Sequence, residues 1–218
     1  MNDDLADWTP LDWTPPSGMV GARTRLERLT PDHAAALHAA NPRDAEHWAY
    51  MAYGPFDDLQ TYRDWIETVA AGDDPAFYAI DGPEGWAGVA SFMRVDRANG
   101  VIEIGNIALS PSLQRTPEAT EALHLMIDHC FAAGFRRVEW KCNAGNAPSR
   151  RAALRLGFTY EGTFRQHMIV RVQNRDTAWF AIIDADWPRL RAAHRSWLAP
   201  ANFGAAGRQK RPLGEMTG

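Results

Sequence analysis

Residues 143–162, NAGNAPSRRAALRLGFTYEG, constrain the fold of this chain more than any other stretch. A compact strand, Val138-Glu139-Trp140-Lys141-Cys142, leads into them. Asn146 and Ser149 have the spacing that turns a loop into a helix start, and first-turn amides attract anions and carbonyl oxygens. Gly157 supplies the left-handed residue that stops a helix, and Phe158 begins a new strand. The segment reads as strand, polar loop, short helix, glycine stop and strand.

The chain upstream supplies the sheet that such a unit needs. Thr24–Leu29 alternates and predicts a first strand, and Thr30-Pro31-Asp32 has the residues of a capped helix start. A short helix with Ala34, Leu37, His38 and Ala40 follows, then an aromatic loop over 41–57. Leu59, Tyr62, Trp65, Ile66 and Val69 predict a helix over 58–71. Strands over 76–80, 86–95 and 101–109 are separated by turn residues and read as an antiparallel meander. A helix over 117–133 ends at Gly134, and a strand follows over 137–142. After the helix over 147–156 come strands near 158–171 and 177–184 and a closing helix over 187–198. A meander followed by strand–helix units predicts an α+β (mixed α/β) fold. Its central sheet has about seven strands, antiparallel in the first half and parallel in the middle, flanked by helices.

The ends read differently. Residues 1–21 carry two Trp-Thr-Pro repeats and predict an extended arm, which Trp8 and Trp13 would dock on the domain or on a neighbour. The domain proper is expected over 22–200. Residues 201–218, Gly-rich and basic with few apolar side chains, are expected to be disordered. No apolar run approaches the ~18 residues of a membrane span, and the acidic N-terminus is no signal peptide. A cytoplasmic location is the expectation. The net charge of −4, with no basic aromatic stripe, argues against a nucleic-acid surface. It modestly favours a cationic acceptor such as an amine. Cys130 and Cys142 read as buried thiols, and no ligand cluster suggests a metal.

The pattern N-x-x-S…L-G-F-x-x-E-G, carried by Asn146, Ser149 and Leu156–Gly162, resembles the C-terminal signature of the GNAT acyl-CoA N-acyltransferases, in particular the RimJ/RimL-type branch. The resemblance covers roughly residues 22–186 and agrees with the element order. It implies the GNAT fold, acetyl-CoA as the acyl donor and a primary amine, on a protein N-terminus or a small molecule, as acceptor. It places coenzyme A at a Q/R-x-x-G-x-G/A loop, matched here by Gln114, Arg115, Thr116, Pro117, Glu118 and Ala119, with Thr120 next. Pro117 replaces the central glycine and has no N–H to offer, but Thr116 before it suits a helix cap.

In the same family the strand equivalent to 101–109 bulges and splays from its neighbour, so that the pantetheine arm pairs with backbone there. Ile107, Ala108 and Leu109 are the corresponding backbone partners, and an amide at Ile107 or Ala108 is the corresponding oxyanion donor. Ser149 matches the serine proposed to protonate the leaving thiolate; a helix first-turn serine is the plainer reading. Asn146 would hold the pantetheine or acetyl carbonyl, or simply cap its helix. Glu103 is the candidate base, directly or through water, or else a salt-bridged strand residue. The glutamate that RimL-type enzymes carry seven residues after the E-G glutamate is Met168 here. His167 beside it is of a residue type that serves in proton transfer, but strict alternation puts the two on opposite faces. Trp48, Tyr50, Tyr53, Phe56 and Tyr62 are candidates for the acceptor wall or for core. Asp176 would attract a cationic amine or pair with Arg175. A homodimer is expected from the Trp-rich arm and the C-terminal apolar stripe. A non-catalytic acyl-CoA-binding or interaction module is the competing reading. A serine hydrolase lacks its G-x-S-x-G elbow, and dinucleotide or P-loop folds lack their glycine motifs.

Overall fold

The computed structural model describes residues 5–218. One eight-stranded sheet forms the frame, in the order β1-β2-β3-β4-β5-β6-β8-β7. Its strands are β1 (Gly18–Val20), β2 (Arg25–Arg28), β3 (Ala76–Gly82), β4 (Gly85–Asp96), β5 (Val101–Leu109), β6 (Arg137–Asn143), β7 (Thr159–Val170) and β8 (Gln173–Ile183). The helices are α1 (Ala34–Ala40), α2 (Leu59–Ala70), α3 (Pro117–Ala132), α4 (Ala147–Arg155), α5 (Trp187–Leu198) and α6 (Gly214–Thr217). All neighbouring pairs are antiparallel except β5 and β6, so the mixed sheet changes direction at its middle.

The alternation of the strands sorts the core into two layers. Ile102, Ile104, Val138, Trp140 and Phe180 face α3 and α5, with Met126, Ile127 and Leu190 packed on them. On the other face Phe77, Ala79 and Val89 meet Leu37, Tyr62 and Ile66 of α1 and α2. Side-chain ties hold the layers in place. The Glu121 carboxylate of α3 accepts the backbone N–H groups of Ala22, Arg23 and Thr24 at 3.1, 2.6 and 3.0 Å. Asp128 accepts from the Trp187 indole and Arg191 of α5. Gly157 sits at φ +90°, as its role as a helix stop requires, and a Cβ there would meet Leu190 at 2.5 Å.

Two expectations about the ends change. The first four residues of the arm lie outside the described ones. From Leu5 the arm docks on its own domain, and its last part, Gly18–Val20, is a sheet strand, which makes eight strands rather than seven. Trp13 is buried between Phe92 and Phe135, with its indole N–H 3.2 Å from His129 Nε2. Trp8 donates to the Ala98 carbonyl at 2.7 Å. The tail over 201–218 is not a disordered segment either. Leu213 is fully buried, α6 packs on α4 and α5, and Asn202 pairs with Arg211 backbone groups. Composition understates such a segment because one buried leucine and a few backbone pairs suffice to hold it.

The His194 imidazole of α5 is sealed in the core and lies 2.9 Å from the Leu156 carbonyl through Nε2. Its Nδ1 is buried without a partner. Burial therefore lowers its pKa to about 4. The unfolded chain takes up a proton near pH 6.5 while the folded one refuses it, so stability is complete above that pH and falls as pH drops towards 4. Thermal or urea unfolding between pH 7.5 and 4 should show a loss of about 3 kcal/mol from this group. His194→Gln, which keeps a donor for Leu156, should flatten that part of the profile; an unchanged slope would assign it to other groups.

Candidate active site

The sheet opens at its single parallel pair. β5 and β6 pair only from Val101 to Glu103 against Arg137 to Glu139. β5 then continues to Leu109 and β6 to Asn143 without pairing with each other. A bulge in β5 accompanies the split. Gly105 is opposite Ser91 and Ala108 opposite Val89, so Asn106 and Ile107 stand against Ala90 alone. Asn106 adopts φ +53°, a conformation asparagine tolerates better than most residues. Its Nδ2 donates to Ser91 Oγ at 3.0 Å, and its carbonyl accepts from Tyr53 Oη at 3.1 Å. Gly105, beside this bulge, is needed for close approach: a Cβ there would lie 2.6 Å from Met93 Sδ.

Both open strands end at helix N-termini. After Leu109, Gln114 Nε2 returns to the Leu109 carbonyl at 2.9 Å, and Arg115 takes φ +62°. Thr116 caps α3, accepting from the Ala119 amide at 3.1 Å, with Pro117 in the first turn. The cap occupies the Ala119 amide, and buried Thr120 accepts from Arg155 at 2.9 Å. An anion at this end is therefore left with the Arg115 side chain and first-turn amides such as that of Glu118. After β6, Asn146 caps α4 by accepting from the Ser149 amide at 3.0 Å, so its cap reading is the one the geometry realises. Ser149 Oγ accepts from the Trp140 indole at 3.0 Å. An indole N–H only donates, so the serine hydroxyl keeps its own proton to donate, with the Cys142 thiol beside it. Cys142 adjoins Ser149; burial pushes its thiol up, and both cysteines are free. Two facing open strand edges, closed at one end by pairing and flanked by two helix N-termini, fit the extended arm and phosphates of coenzyme A.

Beside the split lies a charged network. Glu103, 3% exposed, accepts from Arg94 at 2.8 Å and from Lys141 at 3.1 Å. Lys141 also reaches Glu139 at 2.7 Å and stands 3.8 Å above the Trp179 ring. Arg94, Lys141 and Trp179 line a cavity of about 170 Å³ with His167, Met168, Arg175 and Thr177.

The shared cavity corrects the strand alternation. Phe164 is opposite Thr177 and Met168 opposite Arg175, so three residues of β7 stand against Asp176 alone. Gln166 turns through φ +50°, and His167 and Met168 reach the same cavity. The His167 Nδ1 is 3.0 Å from Thr177 Oγ1. Asp176 holds this irregularity rather than pairing with Arg175. It accepts from the Gln166 amide at 2.8 Å and from Asn174 at 2.9 Å, and those bonds lower its pKa.

The aromatic loop divides. Trp48 and Phe56 are buried among Tyr62 and Tyr53 and are core. Tyr50 and Tyr53 reach the split: Tyr50 Oη donates to the Gly145 carbonyl at 3.1 Å, and Tyr53 holds Asn106 as above. Burial pushes the Tyr53 phenol well up, so it stays a donor. The β7–β8 turn meets the same loop, with Arg171 donating to the Gly54 carbonyl at 2.9 Å.

Arg94, Lys141, Arg175 and Trp179 escaped the sequence reading. One signal was available for Lys141. Alternation along 138–142 puts Glu139 and Lys141 on one face, opposite Val138, Trp140 and Cys142, which marks a polar face inside an apolar strand.

Residues 23–159 match the model of the acetyltransferase (GNAT) domain family. A GCN5-related N-acetyltransferase from Brucella melitensis has 42% identity and a TM-score of 0.94, covering 98% of this chain and 99% of that one. The microcin C7 self-immunity acetyltransferase MccE, solved in complex with acetyl-CoA and AMP, has 25% identity and a TM-score of 0.68 over 78% of this chain and 98% of that one. The ribosomal-protein-serine acetyltransferase of Escherichia coli strain K12 is 36% identical over 100 residues, 45% of this chain and 55% of that enzyme. The chain thus spans about half the length of that curated relative. Among the described residues no helix is long and apolar enough to cross a membrane.

Proposed function

The chain belongs to the GNAT acetyltransferase family, an acetyl-CoA-dependent class, and from that premise we propose that it acetylates a primary amine by direct attack. The observation that carries this reading is the split between β5 and β6, where pairing stops after Glu103 and Glu139. Acetyl-CoA supplies an acyl group already activated as a thioester. The open edges of β5 and β6 would hold its arm, with Ile107, Ala108 and Leu109 offering backbone groups. Arg115 and the first turn of α3 would meet its phosphates. In this scheme the backbone amides at Ile107–Ala108, beside the bulge, serve as oxyanion donors.

Glu103 takes the proton that the amine loses, directly or through a water. Ser149 gives its proton to the departing sulfur, since its oxygen already accepts from Trp140. Trp140 is a positioning residue in this scheme. His167 and Thr177 orient the acceptor from the cavity side.

Thiol release, followed with acetyl-CoA and a panel of amines and peptides, tests the reading. Turnover with at least one primary amine is expected; tight binding with no release across a broad panel would overturn it. Ser149→Ala should lower kcat on the order of 10²-fold while leaving affinity for coenzyme A nearly unchanged. Equal loss of both would give Ser149 a purely structural role.

A further inference from the structure

We propose that the cavity between β6, β7 and β8 binds a small oxyanion, a carboxylate or phosphate, carried by the acceptor amine. Arg175 is its principal ligand. The inference rests on the acetyl-transfer reading and adds a substrate class to it. Every polar side chain lining the cavity can donate. Arg94, Lys141 and Arg175 bring positive charge, Thr177 a hydroxyl, Trp179 an indole N–H and His167 a ring nitrogen. Among the described residues no carboxylate lines it.

The carboxylates behind the wall are already engaged. Glu103 accepts from Arg94 and Lys141, Glu139 from Lys141 and Arg137, and Asp176 from Gln166 and Asn174. Arg175 is the exception among the three cations, because no carboxylate of the described residues pairs with it. Its Nε and the Trp179 Nε1 are both buried donors without an acceptor. Arg175 and Trp179 both line the cavity and each carries an unpaired buried donor, one of them on an uncompensated guanidinium, which an acceptor with several oxygens would satisfy. A carboxylate or phosphate meets that need, and a guanidinium binds either in two-pronged fashion.

The position relative to the chemistry supports the assignment. Arg94 and Lys141 line the cavity and also hold Glu103, the candidate base. An acceptor whose anionic end lies on Arg175 therefore has its amine end directed at the carboxylate that receives the proton. A bare alkylammonium entering the same space meets the guanidinium of Arg175, which no carboxylate of the described residues offsets, and this disfavours it.

The test uses the full chain with acetyl-CoA and matched acceptors: an ω-amino carboxylate, an aminoalkyl phosphate, and the corresponding uncharged aminoalkyl amide. Thiol release should favour an anionic acceptor over the amide by tenfold or more in kcat/KM, mainly through KM. The better of the two anions names the chemistry. Arg175→Met should bring anionic and neutral acceptors within threefold of one another, and Arg175→Lys should restore part of the difference. Trp179→Phe, which removes the indole N–H together with part of the ring, should weaken the preference in the same direction. Equal or better use of the neutral amide by the unmodified protein would overturn the proposal, as would an equal loss on every acceptor in Arg175→Met. Calorimetric titration of glutarate and of inorganic phosphate, neither of which has an amine, reads the anion site separately. Saturable binding that Arg175→Met abolishes supports it even if no amine releases thiol, a result that would sink only the transfer reading. Absence of such binding while neutral amines are acetylated would sink only the anion site.

Discussion

Glu103→Gln should lower kcat by about 10²–10⁴-fold and leave the KM for acetyl-CoA nearly unchanged. The carboxylate is 3% exposed and sits between Arg94 and Lys141 at 2.8 and 3.1 Å. A glutamine fills the same space and its carbonyl still accepts from one of them, so the change removes the proton acceptor more than the shape. Glu103→Asp, which keeps a carboxylate one methylene further back, should retain more activity than the glutamine variant. Steady-state rates of thiol release measure both. If the glutamine variant stays within threefold of the parent, Glu103 is a strut for the two cations and another group takes the proton. Alanine is the wrong probe here, because removing one partner of a buried ion pair strands the other and destabilises the fold as well.

Trp13→Ala should cost about 3–5 kcal/mol of stability. The side chain is 5% exposed and packs edge-on against Phe92 and Phe135 at 5.7 and 5.4 Å between ring centres. Its loss leaves a cavity under the sheet and removes the indole bond to His129. For a domain of this size a loss of that order lowers Tm by roughly 10 °C. Urea unfolding followed by far-UV circular dichroism gives the free energy directly. A change below about 1 kcal/mol would mean that the arm lies on the domain without contributing to its core.

The elements of this fold were legible because their signals are local. Leu59, Tyr62, Ile66 and Val69 recur at helical spacing, and α2 runs over Leu59–Ala70. The caps Thr116 and Asn146 and the stops Gly134 and Gly157 mark ends that the structure reproduces. The two departures at the chain ends share a cause. The docking of Trp13 was expected, but the pairing of Gly18–Val20 as a strand and the burial of Leu213 depend on receptor surfaces far away in sequence. The placement of His167 failed for a related reason. Alternation predicts faces only while a ladder is regular, and the bulge around Gln166 is held by Asp176 from the neighbouring strand.

The sequence by itself determined the order of β2–β8 and α1–α5, the family pattern at Asn146 and Ser149, and the strand that carries Glu103. Each of these depends on residues close together in the chain. Only the tertiary structure decided which charges meet. Arg94, Glu103, Lys141 and Arg175 come from β4, β5, β6 and β8, and their pairing depends on strand register and on two bulges. Coulomb energy varies with distance and burial, neither of which a linear pattern records. The strand order at the middle of the sheet therefore sets where the split opens and where Arg175 is left without a carboxylate.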